Sequence, residues 1–202
     1  MLRIGLTGGL ASGKSTVASL LREKGAVVFD ADAIVRDLYG PGGGGEAAAR
    51  ELFGDRVLGA NGEVSRARIA ETVFTDDAAR HALESRIHPL VRREIEQRFG
   101  AAQRQGASVA VAEASQLLEA NTESNYDRVL LVVAPETERL RRWEAKGGDA
   151  EDARRRIASQ ITPSQAFDRA HDVIVNDGSL EELKGKVETI WEKWVHLSSR
   201  AK

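Results

Sequence analysis

The sequence predicts an α/β protein with a doubly wound parallel sheet of about five strands. Two observations carry that prediction. Short apolar runs, continuous rather than alternating, recur along the chain: LRIGL (2–6), AVVF (26–29), SVAVA (108–112), RVLLVV (128–133) and DVIV (172–175). Strands of a parallel sheet are covered on both faces, and their sequences read this way. Longer stretches with helical spacing fill the gaps between these runs, as crossover connections require.

The first strand runs into GLTGGLASGKST (5–16), and STVASLLREKG then reads as an amphipathic helix ending at Gly25. The second strand ends in VVFDADAIVRDL, with Asp30 and Asp32 at its carboxyl end. Residues 30–107 hold no strand pattern, far more chain than a simple crossover needs. Helical patterns near 46–53, 65–74, 76–86 and 88–104 make this a helical insert beside the ligand edge of the sheet. YGPGGGGE (39–46) is its flexible leading loop.

After the fourth strand, Pro135 reads as the first position of a helix. A polar, arginine-rich stretch follows, RRWEAKGGDAEDARRRIASQ (141–160), with Gly147-Gly148 as a hinge and Asp149 capping a helix. Thr162-Pro163 is an N-cap followed by proline, and Ser179 with Glu182 forms a capping box. The last helix places Leu180, Leu183, Val187, Ile190, Trp194 and Leu197 on one face, with Trp191 beside them, which assigns both tryptophans to the core. The expected layout is one chain over 1–202. Its core lies at about 1–35, 106–140 and 170–202, the helical insert at about 36–105 and a lid at about 141–169.

The composition narrows the function classes. Lys plus Arg number 29 and Asp plus Glu 31, for a net charge of -2, so no global nucleic-acid or polybasic membrane surface is expected. There is no cysteine, hence no disulfide framework and no thiolate metal site. MLRIGLTGGL is too short an apolar stretch for a signal peptide or a membrane span, and no long apolar run occurs elsewhere. The expectation is a cytoplasmic protein that touches neither membrane nor nucleic acid; the sequence is silent on oligomeric state.

Gly8, Gly13, Lys14 and Ser15 complete the pattern G-x-x-x-x-G-K-[ST] between a strand and a helix. The glycines let the backbone turn and approach phosphate oxygens, and the loop N–H groups and helix N-terminus face the anion. Lys14 reaches the β/γ-phosphates, and the Ser15 hydroxyl ligates Mg²⁺. Gly8, Gly9, Leu10, Ala11, Ser12, Gly13, Lys14, Ser15 and Thr16 are thus expected to hold ATP and its magnesium in a P-loop.

This loop does not name the acceptor. A guanine-selective N-K-x-D run is missing, and DLYG (37–40) sits in a helical stretch. A motor would show a strand ending in Asp, and the nearest candidate, SVAVAE within SVAVAEA, ends in Glu113. A kinase fits better. If the chain is still extended at Asp30 and Asp32, both carboxylates point the same way, and Asp32 orients an acceptor hydroxyl and takes its proton. The plainer reading is that these aspartates cap the next helix. Arginines on a closing flap would neutralise the transferring phosphoryl group, with Arg139, Arg141, Arg142, Lys146, Arg154, Arg155 and Arg156 as candidates. The plainer reading of most of them is a solvated face with ion pairs such as Glu151 to Arg155. These residues are equally compatible with phosphoryl transfer to a nucleoside, nucleotide or sugar, or with a nucleotide-dependent switch without transfer chemistry.

The segment IGLTGGLASGKSTVASLLREKGAVVFDADAIVRDLYGPG resembles the N-terminal signature of dephospho-CoA kinases. GEVSRARIAETVF (62–74), IHPLVRREI (87–95), RRIASQ (155–160) and DVIVNDGSLEEL (172–183) follow in the order that family shows. The resemblance implies a P-loop kinase fold with a substrate-binding insert and a lid. It implies ATP-dependent phosphorylation of the ribose 3′-hydroxyl of dephospho-CoA, the last step of coenzyme A synthesis. Carried over by motif, Asp32 serves the 3′-hydroxyl, His88 and Arg92 lie on the substrate side, Arg141 faces the phosphates from the lid, and Asn176 sits near the adenine of ATP. Alone, His88 reads as a turn histidine before Pro89, and NDGS as a turn plus cap. Two departures stand out. SQLLE (115–119) places Ser115 where proline is common and follows Glu113 where Asp is common, and Ala166 stands where a basic residue is common.

Overall fold

The structure, a computed structural model, describes residues 1–40 and 42–200, the side chain of residue 200 excepted. Pro41 of the leading glycine loop and residues 201–202 of the final core segment lie outside the described residues. Among the described residues five strands form one parallel sheet: β1 (Leu2–Gly8), β2 (Val27–Asp30), β3 (Val109–Glu113), β4 (Arg128–Val133) and β5 (Asp172–Val175), in the order β2-β3-β1-β4-β5. All five fall where the apolar runs place them. Ile4, Leu6, Val109, Val111, Leu130, Val132 and Ile174 are buried, as continuous apolar runs in a doubly covered sheet must be.

The helices are α1 (Lys14–Glu23), α2 (Ala31–Leu38), α3 (Gly44–Phe53), α4 (Arg66–Thr75), α5 (Asp77–Arg104), α6 (Glu136–Glu144), α7 (Ala150–Ala158), α8 (Pro163–Arg169) and α9 (Leu180–Arg200). The chain divides into two compact units, residues 1–30 with 99–202, and residues 31–98. In the first unit, Val17, Ala18, Leu20 and Leu21 of α1 and Leu183, Val187 and Trp194 of α9 pack into the sheet core. In the second, Ala48, Ala49, Val57, Ile69, Leu83 and Ile87 form a separate apolar cluster. Among the described residues no helix is long and apolar enough to cross a membrane.

Several caps form as read. Asp149 accepts from the Asp152 N–H at 2.7 Å, and Thr162 and Gln165 make a complete capping box with Pro163 next to the cap. Ser179 and Glu182 exchange the two bonds of another. Other expectations are corrected. Residues 76–86 and 88–104 are not two helices. α5 runs continuously through Pro89, because Leu83 and Ile87 before it and Ile95 and Phe99 after it are buried, and that packing outweighs the one missing N–H. His88 is therefore helical, not a turn residue. Pro135 is the N-cap of α6 rather than its first residue. α3 starts inside the glycine run, at Gly44. Leu180 is exposed, so the buried stripe of α9 begins at Leu183.

The amino ends of β4 and β5 are joined by a buried carboxylate. Asp172, 4% exposed, accepts from Arg128 Nε at 2.8 Å, Lys193 Nζ at 2.5 Å and Trp194 Nε1 at 3.0 Å. Burial alone would raise its pKa. The hydrogen bonds from Arg128, Lys193 and Trp194 outweigh that and hold it below the ordinary aspartate range. A lowered folded pKa adds stability above the unfolded value of about 3.9 and loses it as pH falls through the folded value. Asp172→Asn is therefore expected to cost about 3 kcal/mol at pH 7, with Arg128 left short of its partner. Urea unfolding from pH 7 down to pH 2 should show the two proteins converging only at the acid end.

Candidate active site

Strand register brings the polar ends of the sheet to one level. Leu6 of β1 pairs with Glu113 of β3, Glu113 pairs with Asp30 of β2, and Gly8 pairs with Val132 of β4. Ligands of open α/β sheets bind at this carboxyl edge. The glycine-rich loop leaves β1 there and closes on α1.

Two left-handed residues shape the loop, Ala11 at φ 54° and Gly13 at φ 99°. Such turns point successive N–H groups toward one place, an anion cradle at the start of a helix. Gly13 caps α1, and a Cβ on it would run into Asn176 Nδ2. A Cβ on Gly8 would strike the Val132 carbonyl. Asn176 is buried just past β5; its Nδ2 donates to the Ser12 carbonyl at 2.8 Å. The resemblance implies a place near adenine for Asn176; in the structure its side chain bonds the loop backbone.

The first residues of α1 face the end of β3. Lys14 Nζ donates to Ser115 Oγ at 2.6 Å and lies 3.9 Å from Glu113 Oε1. Ser15 Oγ donates to the same Glu113 oxygen at 2.8 Å. A hydroxyl and a carboxylate in contact are oxygen donors of the kind a hard divalent cation takes. Both residues noted near β3 as departures thus sit against the loop motif: Glu113 accepts from Ser15, and Ser115 accepts from Lys14.

On the opposite side, α6 grips the loop. Arg139 Nε donates to the Leu10 carbonyl at 2.7 Å. Arg142 donates through Nη1 to the Ser12 carbonyl at 3.3 Å and through Nη2 to the Asn176 carbonyl at 3.0 Å. Three residues apart, these two arginines share a helix face. Burial pushes the Arg139 guanidinium below its ordinary pKa, against the pull of Glu136. Arg141 lies off that face. It is 68% exposed, and its guanidinium is bonded to Glu138 at 2.8 Å, which raises its pKa. Of the further arginines, Arg155 and Arg156 pair with Asp152 at 3.6 and 2.7 Å, the solvated-face arrangement.

A cavity of about 380 Å³ adjoins the loop, lined by Gly8, Gly9, Ser115, Glu119, Leu131, Arg139, Gln160 and Ala166 among others. Ala166, where a basic residue is common, is buried in its wall.

The remaining candidates belong to residues 31–98. Asp32 is not in extended chain: Asp30 ends β2, and Asp32 is already in the first turn of α2. The alternating geometry expected for the two carboxylates is therefore absent, since a helix turns successive side chains by about 100°. His88 and Arg92 are both exposed and stand four apart on α5, on one face. Sequence reasoning did not single out Gln160. Its Oε1 accepts from the Leu10 N–H and from Arg139, and its only signal was its place closing the RRIASQ run. Among the described residues no group of three or more His, Asp or Glu is placed to hold a metal ion.

A family model described as dephospho-CoA kinase matches residues 2–182. The chain is 41% identical to the dephospho-CoA kinase of Frankia casuarinae over 95% of its own length and 83% of that protein's. A crystal structure from Thermus thermophilus, 35% identical, superposes with a TM-score of 0.79 over 95% of this chain and 97% of that one. The dephospho-CoA kinase of Campylobacter jejuni, 22% identical, shares the fold at a TM-score of 0.70 over 99% and 98% of the two chains.

Gly13→Ala tests the cradle. The left-handed backbone and the collision with Asn176 are expected to cost about 2 kcal/mol of stability. Calorimetric titration with ADP should show nucleotide binding lost, while circular dichroism keeps the native helix signal.

Proposed function

We propose, because the chain belongs to the dephospho-CoA kinase family, that it transfers the γ-phosphoryl group of ATP to the ribose 3′-hydroxyl of dephospho-CoA. The products are CoA and ADP, and the reaction is the last step of coenzyme A biosynthesis. The observation that carries this reading is a family match spanning residues 2–182 on a chain whose Lys14 and Ser15 converge on Glu113. The core, the insert at about 36–105 and the lid at about 141–169 belong to the same reading, supported by the separate unit at residues 31–98. So does a cytoplasmic location, supported by the cysteine-free composition.

The loop from Gly8 to Thr16 holds the donor phosphates through its remaining N–H groups, those of Leu10 and Ser12 being bonded to Gln160 and Gly9. Lys14 leaves Ser115 to meet the β/γ-phosphates and follows the charge as it develops on the bridging oxygen. Mg²⁺ would be held at the Ser15 hydroxyl, with Glu113 behind it, and would neutralise β- and γ-phosphate charge. Asp32, with His88 and Arg92 on the substrate side, orients the acceptor. Its carboxylate takes the hydroxyl proton as the new P–O bond forms and the bond to the ADP oxygen breaks. Arg139 and Arg142 hold the loop's carbonyls, and Arg141 supplies positive charge from the lid once Glu138 releases it.

Asp32→Asn is expected to lower kcat by about 100-fold to 10,000-fold while leaving ATP affinity within about twofold. Coupled ADP-release kinetics and calorimetry read the two arms. Unchanged turnover removes Asp32 from the chemistry. A panel of dephospho-CoA, nucleosides and nucleoside monophosphates tests the acceptor, and no stimulation by dephospho-CoA would defeat the assignment.

A further inference from the structure

Leu10, in the bend of the phosphate loop, has both of its backbone polar groups taken by residues more than a hundred positions away. Its N–H donates to Gln160 Oε1 at 3.1 Å, and its carbonyl accepts from Arg139 Nε at 2.7 Å. Arg139 Nη2 donates to the same Gln160 oxygen at 2.6 Å, closing a three-residue ring. Two donors converging on one atom fix the amide: the oxygen faces Leu10, because an NH2 there would oppose donor with donor. The ring also presses on the loop, since a Cβ at Gly9 would meet Arg139 Nη2 at 2.5 Å and Gln160 Oε1 at 2.8 Å. Gln160 itself lies between α7 and α8, in the lid segment.

We propose that Gln160 is a positioning residue for the nucleotide donor. Its amide oxygen ties the lid segment, α6 and the phosphate loop into one hydrogen-bonded unit, so the loop is held in its anion-accepting shape before nucleotide arrives. Without that oxygen the Leu10 N–H loses its acceptor, Arg139 Nη2 loses its own while Nε keeps the Leu10 carbonyl, and the bend is free to change shape.

The test uses the full chain, free of nucleotide. In Gln160→Leu, exchange of the Leu10 amide followed by ¹⁵N NMR is expected to quicken by about tenfold, the loss of one net hydrogen bond. In Gln160→Glu an acceptor oxygen remains opposite both donors, and slow exchange returns. In steady-state assays Gln160→Leu should raise KM for ATP about tenfold, with KM for the acceptor unchanged. The kinetic arm rests on the kinase reading; the exchange arm does not, so failure of one is distinguishable from failure of the other. Leu10 exchange in Gln160→Leu as slow as in the parent protein overturns the proposal. So does a lowered melting temperature with KM rising equally for both substrates, which would mark Gln160 as general scaffolding.

Discussion

A loop that turns its N–H groups toward an anion must turn carbonyls away from it, and those carbonyls are then buried in protein. Each needs a donor from elsewhere in the chain. The cradle here depends on that requirement being met. The Ser12 carbonyl takes Asn176 and Arg142, and the Leu10 carbonyl takes Arg139. The donors come from the end of β5 and from α6, so the phosphate loop is shaped as much by the second half of the chain as by its own glycines. Asn176 shows how tight the fit is: the side chain that satisfies Ser12 fills the space where a Cβ on Gly13 would lie.

Around that backbone the charges are arranged for exchange of partners. Lys14 and Ser15 rest on Ser115 and Glu113, each a group that phosphate or a cation can replace. Arg139 and Arg142 are committed to carbonyls. The opposite end of the sheet differs in kind. Asp172 is enclosed by Arg128, Lys193 and Trp194, with burial and three donors settling its ionisation. One end of the sheet holds polar groups with provisional partners, the other a closed set.

All five strands were legible because a doubly covered sheet writes itself as continuous apolar runs, and the loop was legible because its geometry admits few residue types. α5 was harder. Pro89 reads locally as a break, and only the burial of residues on both sides of it overrides that reading. The geometry of Asp32 was missed because strand and helix meet between Asp30 and Ala31, and one residue decides whether two carboxylates share a face. Arg139 and Arg142 were readable as candidates but not separable from Arg141. Which arginine of a polar helix turns inward is decided by what lies opposite, and here that is the backbone of residues 10, 12 and 176. Gln160 was legible only as the last letter of the RRIASQ run, and its contacts were not, since its partners are the Leu10 N–H and a side chain of α6.

β1 lies at the centre of the sheet, and its two neighbours are β3 and β4, paired through Leu2 with Val109 and through Gly8 with Val132. During synthesis, then, the strand that carries the phosphate loop leaves the ribosome before either neighbour and has no partner in this sheet until about 100 further residues have followed it. Its buried sequence must spend that interval unpaired, several seconds at ordinary translation rates of about 5–20 residues per second. Closing so long a loop makes the central pairing a late and slow event. The phosphate loop therefore cannot be complete until β3, β4 and, for the donor to the Ser12 carbonyl, Asn176 have been made.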